Sequence, residues 1–305
     1  MKNFILCSLF ALICGNATFS IGANLPALQD SLKKTGPGIF KGKDADKFAA
    51  NGKFIEFLKQ ALESEGAFDF PFDSLKFIAR LNAPDNAFRI FNWNLPKDDG
   101  THAYYGFILV DQDQLGGKKK KKTKLKNATR FVLYELNDQS DFIRNPELTQ
   151  LNCDKWFGAL YYKVILNTYK GKNYYTLLGW DGNTPLTWKK VIDVLTFAKD
   201  GQPIFGEESV FQINKLTKRR VIFEFKAEMV MTLKYEDKNK RIVFDVLAPE
   251  VSGAEGMYQF YVQTFAYDTY VFRKGKWVFV PDQDIRNPKD KKDEKYTAPD
   301  GMPRQ

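Results

Sequence analysis

The chain has 305 residues, 44% of them hydrophobic, 15% aromatic and 27% charged. That composition belongs to a globular protein long enough to bury a large core, and it excludes an intrinsically disordered chain. The net charge of +9 suggests a polyanion partner, but seven lysines (Lys118, Lys119, Lys120, Lys121, Lys122, Lys124 and Lys126) carry all but +2 of it, which argues against a nucleic-acid-binding face on the remainder.

Residues 1–23 read as a secretory signal: Lys2 is a short positive start, Phe4–Ile13 an apolar stretch, and Gly15–Ala17 or Ile21–Ala23 supplies small residues for cleavage. The apolar stretch is shorter than the roughly 20 residues of a membrane-spanning helix, and no other long apolar segment follows. The expected location is the periplasm or the exterior of the cell. Cys14 offers a lipid anchor as the minor alternative, although Ile13 stands where a small residue is expected. Cleavage after the signal leaves Cys153 alone, so no intramolecular disulfide forms, and a buried thiol is the simplest role for it.

Residues 24–70 read as a small helical cap. Leu25, Leu28 and Leu32 are spaced for one helix, which Gly36-Pro37-Gly38 ends. Lys53–Glu65 places Phe54, Ile55, Leu58, Ala61 and Leu62 on one stripe, and Gly66 stops it.

Residues 71–289 read as a β-rich body. Strands are expected at Ser74–Leu81, Phe88–Asn94, Ala103–Val110 and Thr129–Leu136, with the lysine loop before the last of them. Phe142–Leu151 is an irregular or helical connection. Trp156–Thr168 and Asn173–Trp180 form a hairpin, and Asp181-Gly182-Asn183 turns the chain. Thr187–Phe197 is ambiguous: Trp188, Val191, Ile192 and Leu195 fit a short helix, the favoured reading, while its β-branched residues suit a strand. Val210–Leu216 is a further strand.

The clearest pattern lies in Val221–Ala248. Every odd position from Val221 to Tyr235 is apolar, Glu236–Lys240 is a polar turn, and Ile242, Phe244, Val246 and Ala248 alternate again, which predicts one antiparallel hairpin. Met257–Phe265, Thr269–Phe272 and Trp277–Val280 continue as strands, and residues 290–305 form a polar tail. The expected fold is mainly β, an antiparallel meander arranged as a sandwich, barrel or irregular propeller. The segments FRIFNWNL (Phe88–Leu95), YYTLLGWDGN (Tyr174–Asn183), RVIFEFKAEM (Arg220–Met229) and KGKW (Lys274–Trp277) together resemble exported bacterial proteins with no assigned activity. The resemblance implies no functional residue.

No sequence motif specifies a reaction. Glu224 and Glu228 share a strand face but sit about 13 Å apart at about 3.3 Å per residue, beyond the roughly 5–9.5 Å of a glycosidase pair, and read as a solvated face. A carboxylate pair from separate strands is the enzyme alternative. Asp111-Gln112-Asp113, Asp282-Gln283-Asp284 and Asp181-Gly182-Asn183 are weak calcium candidates, lacking the ligand count of a full loop. His102, the single histidine, beside Asp98-Asp99, reads as a loop residue. Lys118, Lys119, Lys120, Lys121 and Lys122 are candidates for polyanion contact, with a solvated loop as the plainer reading. Trp180, Asp181, Asn183, Trp93 and Tyr104 are the candidate ligand-binding residues. Of these, Trp180 beside Asp181 and Asn183 is the strongest, an aromatic platform next to polar groups. The chain reads as a non-catalytic binding or interaction protein of the cell envelope, its partner a glycan or an envelope protein; a structural role without a small ligand is the third possibility. Nothing in the pattern sets an oligomeric state.

Overall fold

The structure, a computed structural model, describes residues 24–115 and 130–283. The expected signal, the lysine loop with Lys118–Lys122, Asp284 and the C-terminal tail lie outside the described residues. The fold is mainly β, with antiparallel sheets and a small N-terminal helical segment.

Four layers stack on one another. The first is helical: α1 (Leu25–Thr35), a 3₁₀ turn at Gly36–Phe40, and α2 (Asp44–Glu63). Helix α2 starts nine residues before the apolar stripe suggests. Its first turns bury polar residues instead, so a hydrophobic pattern does not mark them. Lys47 donates to Asp98, Asp44 and the Pro96 carbonyl, and Asn51 accepts from the Trp93 indole at 2.8 Å.

The second layer is a four-stranded sheet in the order β1 (Ala79–Asn82), β2 (Phe88–Pro96), β3 (His102–Asp111), β4 (Phe131–Asn137). Its first strand is half the expected Ser74–Leu81. Phe91, Trp93, Leu95, Phe107 and Leu109 point to the helices, while Phe88, Ile90, Ile108 and Val110 point to the third layer.

That third layer is the middle sheet: β5 (Leu151–Asn152), β6 (Leu160–Tyr169), β7 (Lys172–Asp181), β8 (Thr187–Phe197) and β9 (Pro203–Phe205). Lys170 and Gly171, both at positive φ, join β6 to β7 in a two-residue loop of the type that matches strand twist. The fourth layer holds β10 (Phe211–Ile213) and β11 (Leu216–Lys218). The chain then returns to the middle sheet as β12 (Val221–Lys226), before completing the outer sheet with β13 (Leu233–Glu236), β14 (Arg241–Pro249), β15 (Tyr261–Arg273) and β16 (Lys276–Val280). One pair, β10 with β16, is parallel. Among the architectures expected from the pattern, the stack is a sandwich with a third sheet added.

Two expectations are corrected. Thr187–Phe197 is strand β8, not a helix. It lies between two cores, with Val191 and Leu195 facing the first sheet and Ile192 and Val194 facing the outer one, so its apolar run carries no alternation. Val221–Tyr235 is not one hairpin arm. Val221–Lys226 pairs with β8, the chain crosses at Ala227–Thr232, and only Leu233–Glu236 forms the hairpin with β14. The alternation survives because both halves turn their odd residues into the same core: Val221 and Phe225 from the middle sheet, Met231 from the crossing and Leu233 from the outer sheet.

At the centre sits a fully buried ion pair. Arg220 donates from Nε and Nη2 to the two Asp193 oxygens at 3.0 and 3.1 Å, and neither side chain has exposed surface. Its Nη1 reaches the Pro146 carbonyl and, at 3.2 Å, that of Thr149. The 145–150 connection is thereby fastened to β8. Among the described residues no helix is long and apolar enough to cross a membrane.

Candidate functional site

The β2–β3 turn, the connection after β4 and the β7–β8 turn meet at one end of the first and middle sheets. They enclose a cavity of about 250 Å³ whose lining includes His102, Tyr104, Asp138, Ser140, Asp181 and Lys189. Each polar group is held by local structure. Asp181 is the last residue of β7 and accepts from the Asn183 amide at 2.7 Å, an Asx turn that Asn183 completes at positive φ. Tyr104 lies opposite on β3, and its hydroxyl accepts from the Gly182 amide at 2.7 Å. Asp138 follows β4 and accepts from the Ser140 hydroxyl and amide and from the Gly158 amide.

Burial sets the electrostatics. Asp181 is 5% exposed, and its burial raises its pKa above the usual carboxylate value; Lys189, 4.0 Å away, and the Asn183 amide oppose the rise. Burial and the neighbouring Asp181 charge push the Tyr104 hydroxyl up, so it stays protonated. Burial lowers the pKa of His102, with Lys97 adding to the effect. His102 Nδ1 lies 2.8 Å from the Asn94 amide nitrogen; with that nitrogen donating, the ring proton sits on Nε2. The site thus presents a neutral imidazole, a phenol and two carboxyl groups in different surroundings.

Glu224 is not on a solvated face. Its Oε1 accepts from Thr187 at 2.7 Å and from the Asn183 side-chain amide at 3.1 Å, and the Lys189 ammonium donates to Asn183 Oδ1 at 2.6 Å. Glu224 also lines a second hollow of about 350 Å³ with Glu147, Leu148, Ile222 and Tyr258. The two hollows share Phe157 and Lys189 in their linings and so lie side by side. Exposed Phe142 (76%) belongs to the connection after β4, and Leu148 (59%) and Tyr258 (42%) stand at the second hollow.

Of the residues singled out from the sequence, Tyr104, Asp181 and Asn183 converge here. Trp180 does not line the cavity. It stands behind it, edge-on to His102 at 5.3 Å and to Trp188 at 5.6 Å. Trp93 is corrected outright: it is 1% exposed, lies under α2 and packs edge-on against Phe54 at 5.2 Å, so no ligand reaches it. Asp138, Ser140, Lys189 and Glu224 were not legible as a site, because the chain segments that carry them are distant in sequence. His102 is a cavity residue rather than a free loop histidine.

Of the calcium candidates, Asp111 is engaged by neighbours, and Asp284 lies outside the described residues. Both Asp111 oxygens accept from Arg130, the closest contact being 2.7 Å, and Asp111 Oδ1 also takes the Asp113 amide. Among the described residues no group of three or more His, Cys, Asp or Glu side chains is placed to hold a metal. Burial pushes the Cys153 thiol up to about 12, which keeps it protonated and a poor nucleophile.

Gly158 has a steric reason. A Cβ there would lie 2.5 Å from the Asp138 carboxyl carbon. Gly158→Ala should therefore displace Asp138 and destabilise the fold by about 1–3 kcal/mol, as overpacking does. Urea unfolding measures it; a neutral result would mean the Asp138 turn gives way freely. No protein-family model matches the chain, and no curated protein matches it in sequence.

Proposed function

We propose that the chain is an exported binding protein of the cell envelope that takes a neutral segment of glycan into the cleft at Asp138, Asp181 and Lys189. The observation that carries this reading is the convergence of acceptors (Asp138, Asp181), donors (Lys189) and hydroxyls (Ser140, Thr101) beside aromatic walls at Tyr104 and Phe157. Sugar hydroxyls donate and accept at once, and a pocket with both kinds of partner next to an apolar surface orients them. The expected signal segment and the resemblance to exported bacterial proteins support the envelope location.

Thermal unfolding of residues 24–305 against a panel of neutral envelope glycans tests the reading, because a ligand specific to the folded state raises the transition by mass action. A shift with one glycan class, lost in Asp181→Asn, is expected. If no neutral glycan moves the transition, the reading fails.

Asp181→Asn carries its own stability signature. The folded-state pKa is raised above the unfolded 3.8, so the stability this group contributes is present below the unfolded value and lost as pH rises through the folded one. At pH 7 the buried charge opposes folding. Asp181→Asn should raise the unfolding temperature by a few degrees at pH 7 and by less at pH 4, while removing the glycan response. A lowered transition at pH 7 would contradict the sign.

A second reading, a glycan hydrolase, is favoured by one observation: Asp181 at the end of β7 and Asp138 from the connection after β4 line one cavity, and burial raises the pKa of Asp181. Two carboxyl groups with divergent environments suit acid and base roles. Release of reducing ends from the bound glycan, abolished in both Asp181→Asn and Asp138→Asn, would establish it. Binding without release leaves the first reading.

A further inference from the structure

A separate cavity of about 540 Å³ opens at the other end of β2 and β3. Arg89 lines it, and Arg89 is unusual. It occupies the row of β2 that otherwise carries Phe91, Trp93 and Leu95 toward the helices, and it is 6% exposed. Nε donates to Asn82 Oδ1 at 3.0 Å, and Nη1 donates to the carbonyls of Ala67, Phe68 and Phe70 at 3.2, 2.8 and 2.6 Å. The guanidinium carbon lies 4.9 Å from the Phe91 ring centre. Among the described residues, Nη2 has no hydrogen-bond partner and no carboxylate lies within ion-pair distance of Arg89.

The other charges of the lining are mostly matched. Arg130 holds Asp111 at 2.7 Å, and Arg80 holds Asp73 at 3.2 Å. What remains is one buried cation with a free N–H at the cavity wall and one exposed acid, Asp69, at the rim. A buried charge without a counter-ion is costly, and an oxyanion supplied by a ligand removes that cost. The lining's three arginines and three aspartates sum to zero, so the fitting ligand sets one carboxylate against Arg89 and hydroxyl donors against Asp69. A phosphate dianion would meet Asp69, Asp73 and Asp111. The amides of Asn82, Asn86 and Gln114, with the Asp69 carboxylate, offer partners for hydroxyl groups.

We infer that this cavity binds a hydroxylated monocarboxylate, a sugar acid of the hexuronate kind, with its carboxylate on Arg89 Nη2 and its hydroxyls on Asp69, Asn82 and Asn86. Burial, first, and the like charge of Arg80 act against the Arg89 cation while Asp69 and Asp73 act for it, and a bound carboxylate would add to their side. The inference stands apart from the cleft at Asp181 and shares no residue with it.

Titration calorimetry of the full mature chain with D-glucuronate tests it, with D-glucose and inorganic sulfate as controls. Saturable binding of glucuronate is expected, with glucose and sulfate each weaker by about ten- to a hundredfold, the worth of one charge-assisted hydrogen bond. Arg89→Met should abolish binding. Because Arg89 also clamps the 67–70 turn, the unmodified protein supplies a second readout: the side-chain nitrogen resonances of Arg89 should move on titration with glucuronate and stay fixed with glucose. Asp181→Asn should leave glucuronate affinity unchanged, which separates this cavity from the glycan cleft. No saturable heat and no Arg89 movement would overturn the inference. So would equal binding of sulfate, which would show an unspecific anion site, or equal binding of glucose, which would remove the role of the charge.

Discussion

Replacing Arg220 with alanine should cost about 3–5 kcal/mol of stability, the range for stranding one member of a buried ion pair. Asp193 has no exposed surface and no other cation within ion-pair reach among the described residues, so its charge would be left in the core. The Pro146 and Thr149 carbonyls would lose their donor at the same time, releasing the 145–150 connection that walls the second hollow. Equilibrium urea unfolding reads the loss. Asp193→Leu with Arg220→Met should recover most of it, since two packed apolar chains of similar size replace a buried pair at little net cost. A loss below about 1 kcal/mol in Arg220→Ala would mean that solvent reaches the pair and that the core is loosely packed around it.

Trp93→Ala should be comparably severe, at about 3–5 kcal/mol, through the cavity left between α2 and the first sheet. The indole packs on Phe54 and stacks with Tyr105 at 5.7 Å, and its nitrogen satisfies buried Asn51. Trp93→Phe keeps most of the contact but orphans the Asn51 carbonyl, for a loss of about 1–3 kcal/mol. The decisive comparison pairs stability with ligand response. Trp93→Phe should lower the unfolding temperature and leave the glycan and glucuronate shifts intact. Loss of either shift in a folded Trp93→Phe protein would return this residue to the ligand-binding set.

The case of Trp93 shows where sequence reading reaches and where it stops. A period-two pattern tells which side of a strand is covered, and it did so for β14, where Ile242 and Phe244 enter the core. It does not say what does the covering. Trp93 near a turn looked available to a ligand because the apolar stripe that covers it through Phe54 does not say which strand it packs on, and its polar partner Asn51 lies outside that stripe. The same limit explains why Val221–Tyr235 reads as a single arm, since one apolar phase serves two sheets facing one core. It also explains β8, whose two covered faces erase the phase altogether. Local turn chemistry was legible: Lys170-Gly171 and Lys274-Gly275 close their hairpins at positive φ. The Asp181-Gly182-Asn183 turn was legible as well, and with it half of the cleft. The other half, Asp138 and Lys189, needed the register of three strands. Arg89 did leave a trace, as a lone charge in the apolar phase of a strand.

The position of the middle sheet bears on how the protein can be divided. Both of its faces are interior, and β12 reaches it only after the chain has visited the outer sheet. A fragment ending near residue 205 would bare Leu178, Ile192 and Val194 and strip β8 of its partner edge. Such a strand edge and apolar face invite association between copies. Such a piece would carry the linings of both the Asp181 and the Arg89 cavities on a body whose middle sheet has one face uncovered. A nascent chain must also deliver its last strands before its central ones are sheltered, which places the risk of misassembly late in the emergence of the chain rather than at its beginning.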